Sequence, residues 1–102
     1  MIRFMRSRKY VQNKKFEALK YAQQAALLAA EIMPQAKFRV FTGRFSAAER
    51  IYWIADFEGL VALEQVLQEI ETDHRWEAFR QKAPAGLFIE GSGEESVLVL
   101  ET

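Results

Sequence analysis

Imidazole, indole and phenyl side chains lie close together in Asp73-His74-Arg75-Trp76-Glu77-Ala78-Phe79, and this segment carries the only histidine of the chain. Histidine is the side chain best suited to proton transfer near neutral pH, so His74 is the candidate catalytic residue. A base needs an orienting partner. Asp73, Glu77 or a residue from elsewhere in the fold are available, but the spacing demands none of them, and a histidine at a helix start or a dimer edge explains His74 equally well. A lone imidazole does not assemble a multi-histidine metal site, and no metal is expected. Trp76 and Phe79 stand at i and i+3, where they either pack under a helix end or wall a ligand cavity. His74, two residues before Trp76, lies about 200° around a helix from it and should point away.

A second group surrounds the middle of the chain. Phe38, Trp53 and Trp76 are the aromatic residues assigned to a ligand pocket between sheet and helices, with Arg39 supplying a polar contact to an anionic group. Arg44 and Arg50 flank the same strands, and the plain alternative for all three arginines is edge charge paired with Glu49, Asp56 or Glu58. Trp53, in mid-strand, is also a core candidate. Gly91-Ser92-Gly93 has no lysine and opens no helix, so it is no phosphate loop. Ser46 lacks a His and Asp arrangement that would make it a nucleophile.

Composition narrows the classes. At 102 residues, half of them hydrophobic, the chain suits one globular domain spanning 1–102. Fourteen basic and fourteen acidic residues leave a formal charge of zero, which argues against a nucleic-acid partner. There is no cysteine, which removes disulfides and thiol chemistry and suits a cytoplasmic setting. The Ala25 to Ala30 run is closed by Glu31, far short of a membrane span. The basic first residues, Arg3 to Lys15, share the charge bias of a transit peptide, yet they also serve as a first strand leading into a helix.

Periodicity supplies the elements that would position these groups. Ile2, Phe4 and Arg6 alternate with Arg3 and Met5, predicting a strand that ends near Ser7 to Tyr10. Asn13 is the expected cap of a helix running to about Met33, with Phe16, Leu19, Ala22, Ala26, Ala29 and Met33 as its buried stripe and Pro34 as its stop. Residues 37–45 and 50–58 form strands joined by a turn at Ser46 to Ala48. In them Phe38, Val40, Ile51, Trp53, Ala55 and Phe57 share one face, while Arg39, Phe41, Phe45, Tyr52, Ile54 and Asp56 share the other. A second helix from Gly59 buries Leu60, Leu63, Leu67 and Ile70. Thr72 or Asp73 caps a further turn carrying Trp76 and Phe79, ended by Pro84 and Gly86. Leu87 to Glu90 and Val97 to Leu100 read as short strands around a Gly91 to Glu95 turn.

The order β-α-β-β-α-β defines an α+β, ferredoxin-like sandwich with an antiparallel sheet and both helices on one face. The second face of the middle strands is apolar too, so a partner is expected to cover it. At this level the chain resembles the dimeric α+β barrel superfamily, which includes NIPSNAP-like and antibiotic-biosynthesis-monooxygenase-like proteins. The segment from Asp73 to Phe79 is similar to the acid/His, Trp and Phe segment of many NIPSNAP-like chains. That resemblance implies a homodimer pairing its sheets face to face, without cofactor, of uncertain activity, and binding a small apolar organic molecule. The alternative it implies is a cofactor-independent monooxygenase or isomerase acting on an aromatic or polyketide-like substrate. Haem-degrading relatives use an Asn, a Trp and a His. Asn13, Trp76 and His74 match by type, but His74 precedes the tryptophan instead of following it.

Overall fold

The computed structural model of the chain describes residues 1–45 and 49–102. Its elements are β1 (Ile2–Lys9), α1 (Lys15–Ile32), β2 (Arg39–Thr42), β3 (Arg50–Phe57), α2 (Leu60–Glu71), α3 (His74–Gln81) and β4 (Glu94–Val99), with a 3-10 turn at Gln12–Lys14 before α1. The strands form one antiparallel sheet in the order β2-β3-β1-β4, the ferredoxin-like arrangement. Register runs from Ile2↔Phe57 to Lys9↔Arg50 between β1 and β3, and from Ile2↔Val99 to Ser7↔Glu94 between β1 and β4. On β2 and β3, Arg39 faces Ile54 and Thr42 faces Ile51. The predicted turn at Ser46 to Ala48 lies outside the described residues.

Strand alternation sorts the side chains as their pattern requires. Ile2, Phe4, Ile51, Trp53, Ala55 and Phe57 are buried toward the helices. Helix α1 buries Ala18, Ala22, Ala25 and Ala29, and α2 buries Leu63, Val66 and Ile70. These residues form two apolar clusters. One gathers around Phe4, Phe57 and α2; the other gathers Tyr10, Ala18, Ala22, Ile51, Trp53 and Leu87. Among the described residues no helix is long and apolar enough to cross a membrane.

Several local expectations are corrected. Asn13 is not the cap of α1. It sits inside the 3-10 turn, where the Lys14 N–H reaches the Val11 carbonyl at 2.8 Å, and Lys14 precedes the helix with no side-chain cap. The buried stripe of α1 is rotated from the expected one, and Phe16 is 80% exposed. A stripe of four alanines lets the helix axis lie closer to the sheet than one led by Phe16 would. On α2, Leu60 is likewise exposed and Val66 takes its place in the stripe. Leu87 to Glu90 makes a single bridge, Tyr10↔Phe88, and no strand. Strand β4 already occupies the edge of β1 from Ile2 to Ser7, so only the end beyond it is free to pair. Glu94 and Glu95 belong to β4, not to the turn, and each meets an arginine: Arg50 at 3.1 Å and Arg6 at 2.9 Å.

Candidate functional site

Between the sheet and the three helices lies a cavity of ≈590 Å³, bounded by members of both apolar clusters. Its floor is the helix-facing side of the sheet, with Phe4, Arg6 and Arg8 from β1, Phe38 from the segment before β2, and Trp53 from β3. Its roof is Tyr21, Ala25, Ala26 and Ala29 of α1, and its far wall is Leu67, Ile70, Trp76 and Arg80 from α2 and α3. The alanines explain why there is space: side chains of one carbon leave unfilled the volume that larger residues would occupy.

The aromatic residues hold one another in place. The Trp53 indole donates from Nε1 to the Ala22 carbonyl at 3.1 Å, a bond that only a small residue on the facing helix turn permits. Phe38 meets Phe4 and Phe57 edge-on, with centroids 6.2 and 6.3 Å apart. Tyr21 stacks on Phe79 at 4.9 Å and meets Phe88 edge-on at 5.9 Å, while Trp76 is tilted against Phe79 at 5.9 Å. Burial pushes the Tyr21 hydroxyl above its usual titration range, with Arg8 and Arg80 opposing the shift, so it is a protonated donor near neutral pH.

Helix α3 is positioned by its cap. Asp73 accepts the Arg75 N–H at 2.8 Å and also pairs with the Arg75 guanidinium at 2.9 Å. The Arg75 side chain and backbone N–H together hold the Asp73 carboxyl down at about 2. With that start, Trp76 and Phe79 turn inward at i and i+3, Arg80 reaches the cavity rim from an exposed position at i+4, and His74 turns out.

The structure thus brings together three of the residues assigned to the pocket, Phe38, Trp53 and Trp76, along the cavity wall. It leaves out the fourth, Arg39, and the catalytic candidate, His74. Arg39 lies on the opposite face of the sheet, exposed, with its guanidinium carbon 5.5 Å from the Phe41 ring centre. The reason is register: Arg39 pairs with Ile54, whose parity is opposite to that of Trp53. His74 is exposed at the start of α3 and is not among the residues lining the cavity. The haem-type trio also fails to assemble, since Asn13 is exposed in the turn before α1 and lines no part of the cavity.

The polar groups that do reach the cavity are Arg6, Arg8, Tyr21, Glu71 and Arg80. Arg6 and Arg8 carry on the alternation begun by Ile2 and Phe4, so the period-two pattern of β1 was a signal for them. Arg80 follows Trp76 by four residues, the helical spacing of one face.

No family model matches the sequence, and no curated protein matches it either. Solved structures do match, and they share its fold, that of the NIPSNAP-like and antibiotic-biosynthesis-monooxygenase-like proteins. An uncharacterised NIPSNAP-like domain protein from Burkholderia xenovorans superposes with a TM-score of 0.79 at 11% identity, over 99% of this chain and 85% of that one. A NIPSNAP domain protein from the same organism gives 0.76 at 19% identity, over 99% and 95%. An antibiotic biosynthesis monooxygenase gives 0.68 at 8% identity over the full length of both chains.

Proposed function

We propose that the chain is a homodimeric binding protein for a small, largely apolar organic molecule held between the sheet and its helices. The observation that carries this is the ≈590 Å³ cavity walled by Phe4, Phe38, Trp53 and Trp76. A cavity of that size, aromatic on its walls with a few polar groups, has the character of a small-molecule site. Two tryptophans on the wall make binding directly observable. Titrating naphthalene-type compounds should quench or shift the intrinsic tryptophan fluorescence, and Ala26→Leu, which adds bulk to the roof, should weaken the change. An unaltered spectrum across a panel of aromatic compounds at millimolar concentration overturns the reading.

The second reading, cofactor-independent oxygenation or isomerisation of an aromatic or polyketide-like substrate, is favoured by the full-length likeness to the antibiotic biosynthesis monooxygenase fold. Such chemistry asks for a base against the substrate. Of the described residues on the cavity wall none is an imidazole, Tyr21 is held protonated, and the Glu71 carboxylate lies 3.8 Å from Arg6. Binding without turnover is therefore the reading we favour. Oxygen consumption on adding a reduced polycyclic phenol would reverse that order.

A further inference from the structure

The cationic groups on the cavity wall are unequal, and their inequality runs along one strand. Arg6 is neutralised: its Nη2 is 2.9 Å from Glu95 and 3.8 Å from Glu71. Arg8, about 7 Å further along β1 on the same face, has no carboxylate within ion-pair distance among the described residues. Arg80 has none either. The Arg8 guanidinium is instead held over the Phe88 ring, 4.4 Å from its centre, which fixes the group while leaving its charge uncompensated. Arg8, Tyr21 and Arg80 line both the main cavity and a second, smaller cleft of ≈260 Å³, so they stand where the two meet. Both arginines are close enough to act on the Tyr21 hydroxyl.

Arg8 is half-buried at the end of the cavity and Arg80 reaches the same end from the exposed side of α3, so two guanidinium groups without a carboxylate partner set up a positive potential that favours an anion there. Guanidinium N–H groups match the two oxygens of a carboxylate, and the Tyr21 O–H offers a further donor. The opposite end, with Phe4, Phe38 and the neutralised Arg6, offers no such attraction. Building on the cavity proposed above, we infer that Arg8, Arg80 and Tyr21 form a carboxylate subsite, so that the ligand is an organic acid whose apolar body lies against Trp53 and Trp76 with its carboxylate at the Arg8 end. The site then sets both the class of the ligand and its direction in the cavity.

The test compares 2-naphthoic acid with its neutral amide, by tryptophan fluorescence and calorimetric titration, on the wild-type chain and on Arg8→Gln, Arg80→Gln and the double variant. Wild type should bind the acid at least about tenfold more tightly than the amide, as expected for hydrogen bonds to a charged group. The double variant should lose that preference while its affinity for the amide, which also reports an intact fold, stays within about twofold. Lys20→Gln, exposed on α1 and lining neither cavity, should leave both affinities unchanged. Equal binding of acid and amide by wild type overturns the subsite and leaves the cavity reading standing. A preference that survives the double variant, or that Lys20→Gln also abolishes, overturns it as well. Binding of neither compound overturns both.

Discussion

At the scale of the residue, the most conspicuous group in the sequence and the best-placed groups in the structure are different ones. His74 draws attention because it is the single histidine and imidazole is the usual proton-transfer side chain, yet it starts α3 on the solvent side. His74→Ala should change stability by no more than about 0.5 kcal/mol, because its exposed side chain takes no part in the cap hydrogen bond that Asp73 accepts from Arg75. Trp53 is the opposite case: buried, hydrogen-bonded to Ala22 and part of the cavity wall. Trp53→Ala should cost about 3–5 kcal/mol, and Trp76→Ala, only half-buried, about 1–2 kcal/mol. Chemical denaturation of the three variants orders them, and a loss at His74 as large as that at Trp53 would defeat the assignment. Asp73 supplies a pH dependence of definite sign. Its carboxyl is lowered from 3.8 to about 2 by Arg75, so its contribution is complete above the unfolded value and disappears as pH falls from there through about 2. The melting temperature of Asp73→Ala should therefore lie a few degrees below wild type at neutral pH, with the gap closing in that acid window. A gap that ignores pH would mean that the cap works without its charge.

At the scale of the element, what was legible in the sequence depended on how much contrast each segment carries. Strands β1 and β3 were legible because β-branched and aromatic residues recur in them at period two, and Ile51, Trp53, Ala55 and Phe57 do fall on the helix side. The phase of α1 was not. Alanine occurs at positions 18, 22, 25, 26, 29 and 30, a band about 140° wide at ~100° per residue whose one-carbon side chains mark no centre, and the few large residues mislead the eye toward Phe16. Tertiary packing decided, by choosing the face that brings the helix nearest the sheet. The site was legible in the same proportion: Phe38, Trp53 and Trp76 declared themselves as apolar anchors, whereas Arg8 and Arg80 acquire meaning only once β1 and α3 face each other across the cavity. Ala22, fully buried against Trp53, makes the phase testable. Ala22→Leu overpacks that contact and should cost about 1–3 kcal/mol, whereas Phe16→Ala should cost less than about 0.5 kcal/mol. The reverse order would restore the stripe that the sequence first suggests. Strand β4 belongs to this scale too. It is the edge strand beside β1, and Val97, Leu98 and Val99 are all exposed.

At the scale of the whole molecule, the sheet has one face that the chain's own helices cover and one that they do not. On the uncovered face Met5, Tyr52 and Ile54 are half-buried, Phe41 and Leu98 are exposed, and polar character comes chiefly from the Arg3–Asp56 pair at 2.8 Å and from Arg39 above Phe41. Contiguous apolar surface of this kind on a sheet of an antiparallel α+β fold is unfavourable in water and favours association. A second copy is the economical occupant, because a two-fold axis sets the same strip of β2, β3 and β1 against itself and lets each Arg3 and Asp56 keep its partner. An interface with obligate character would bury more than roughly 2,000 Å² in total. The proposed homodimer therefore predicts a species of twice 11.8 kDa in light scattering at micromolar concentration. Ile54→Asp places a carboxylate at the centre of that strip and, because Ile54 points away from the helices, should halve the mass while the helical signal in circular dichroism persists. Wild type sedimenting as a single 11.8 kDa species at the same concentration would show that the apolar face is tolerated without a partner.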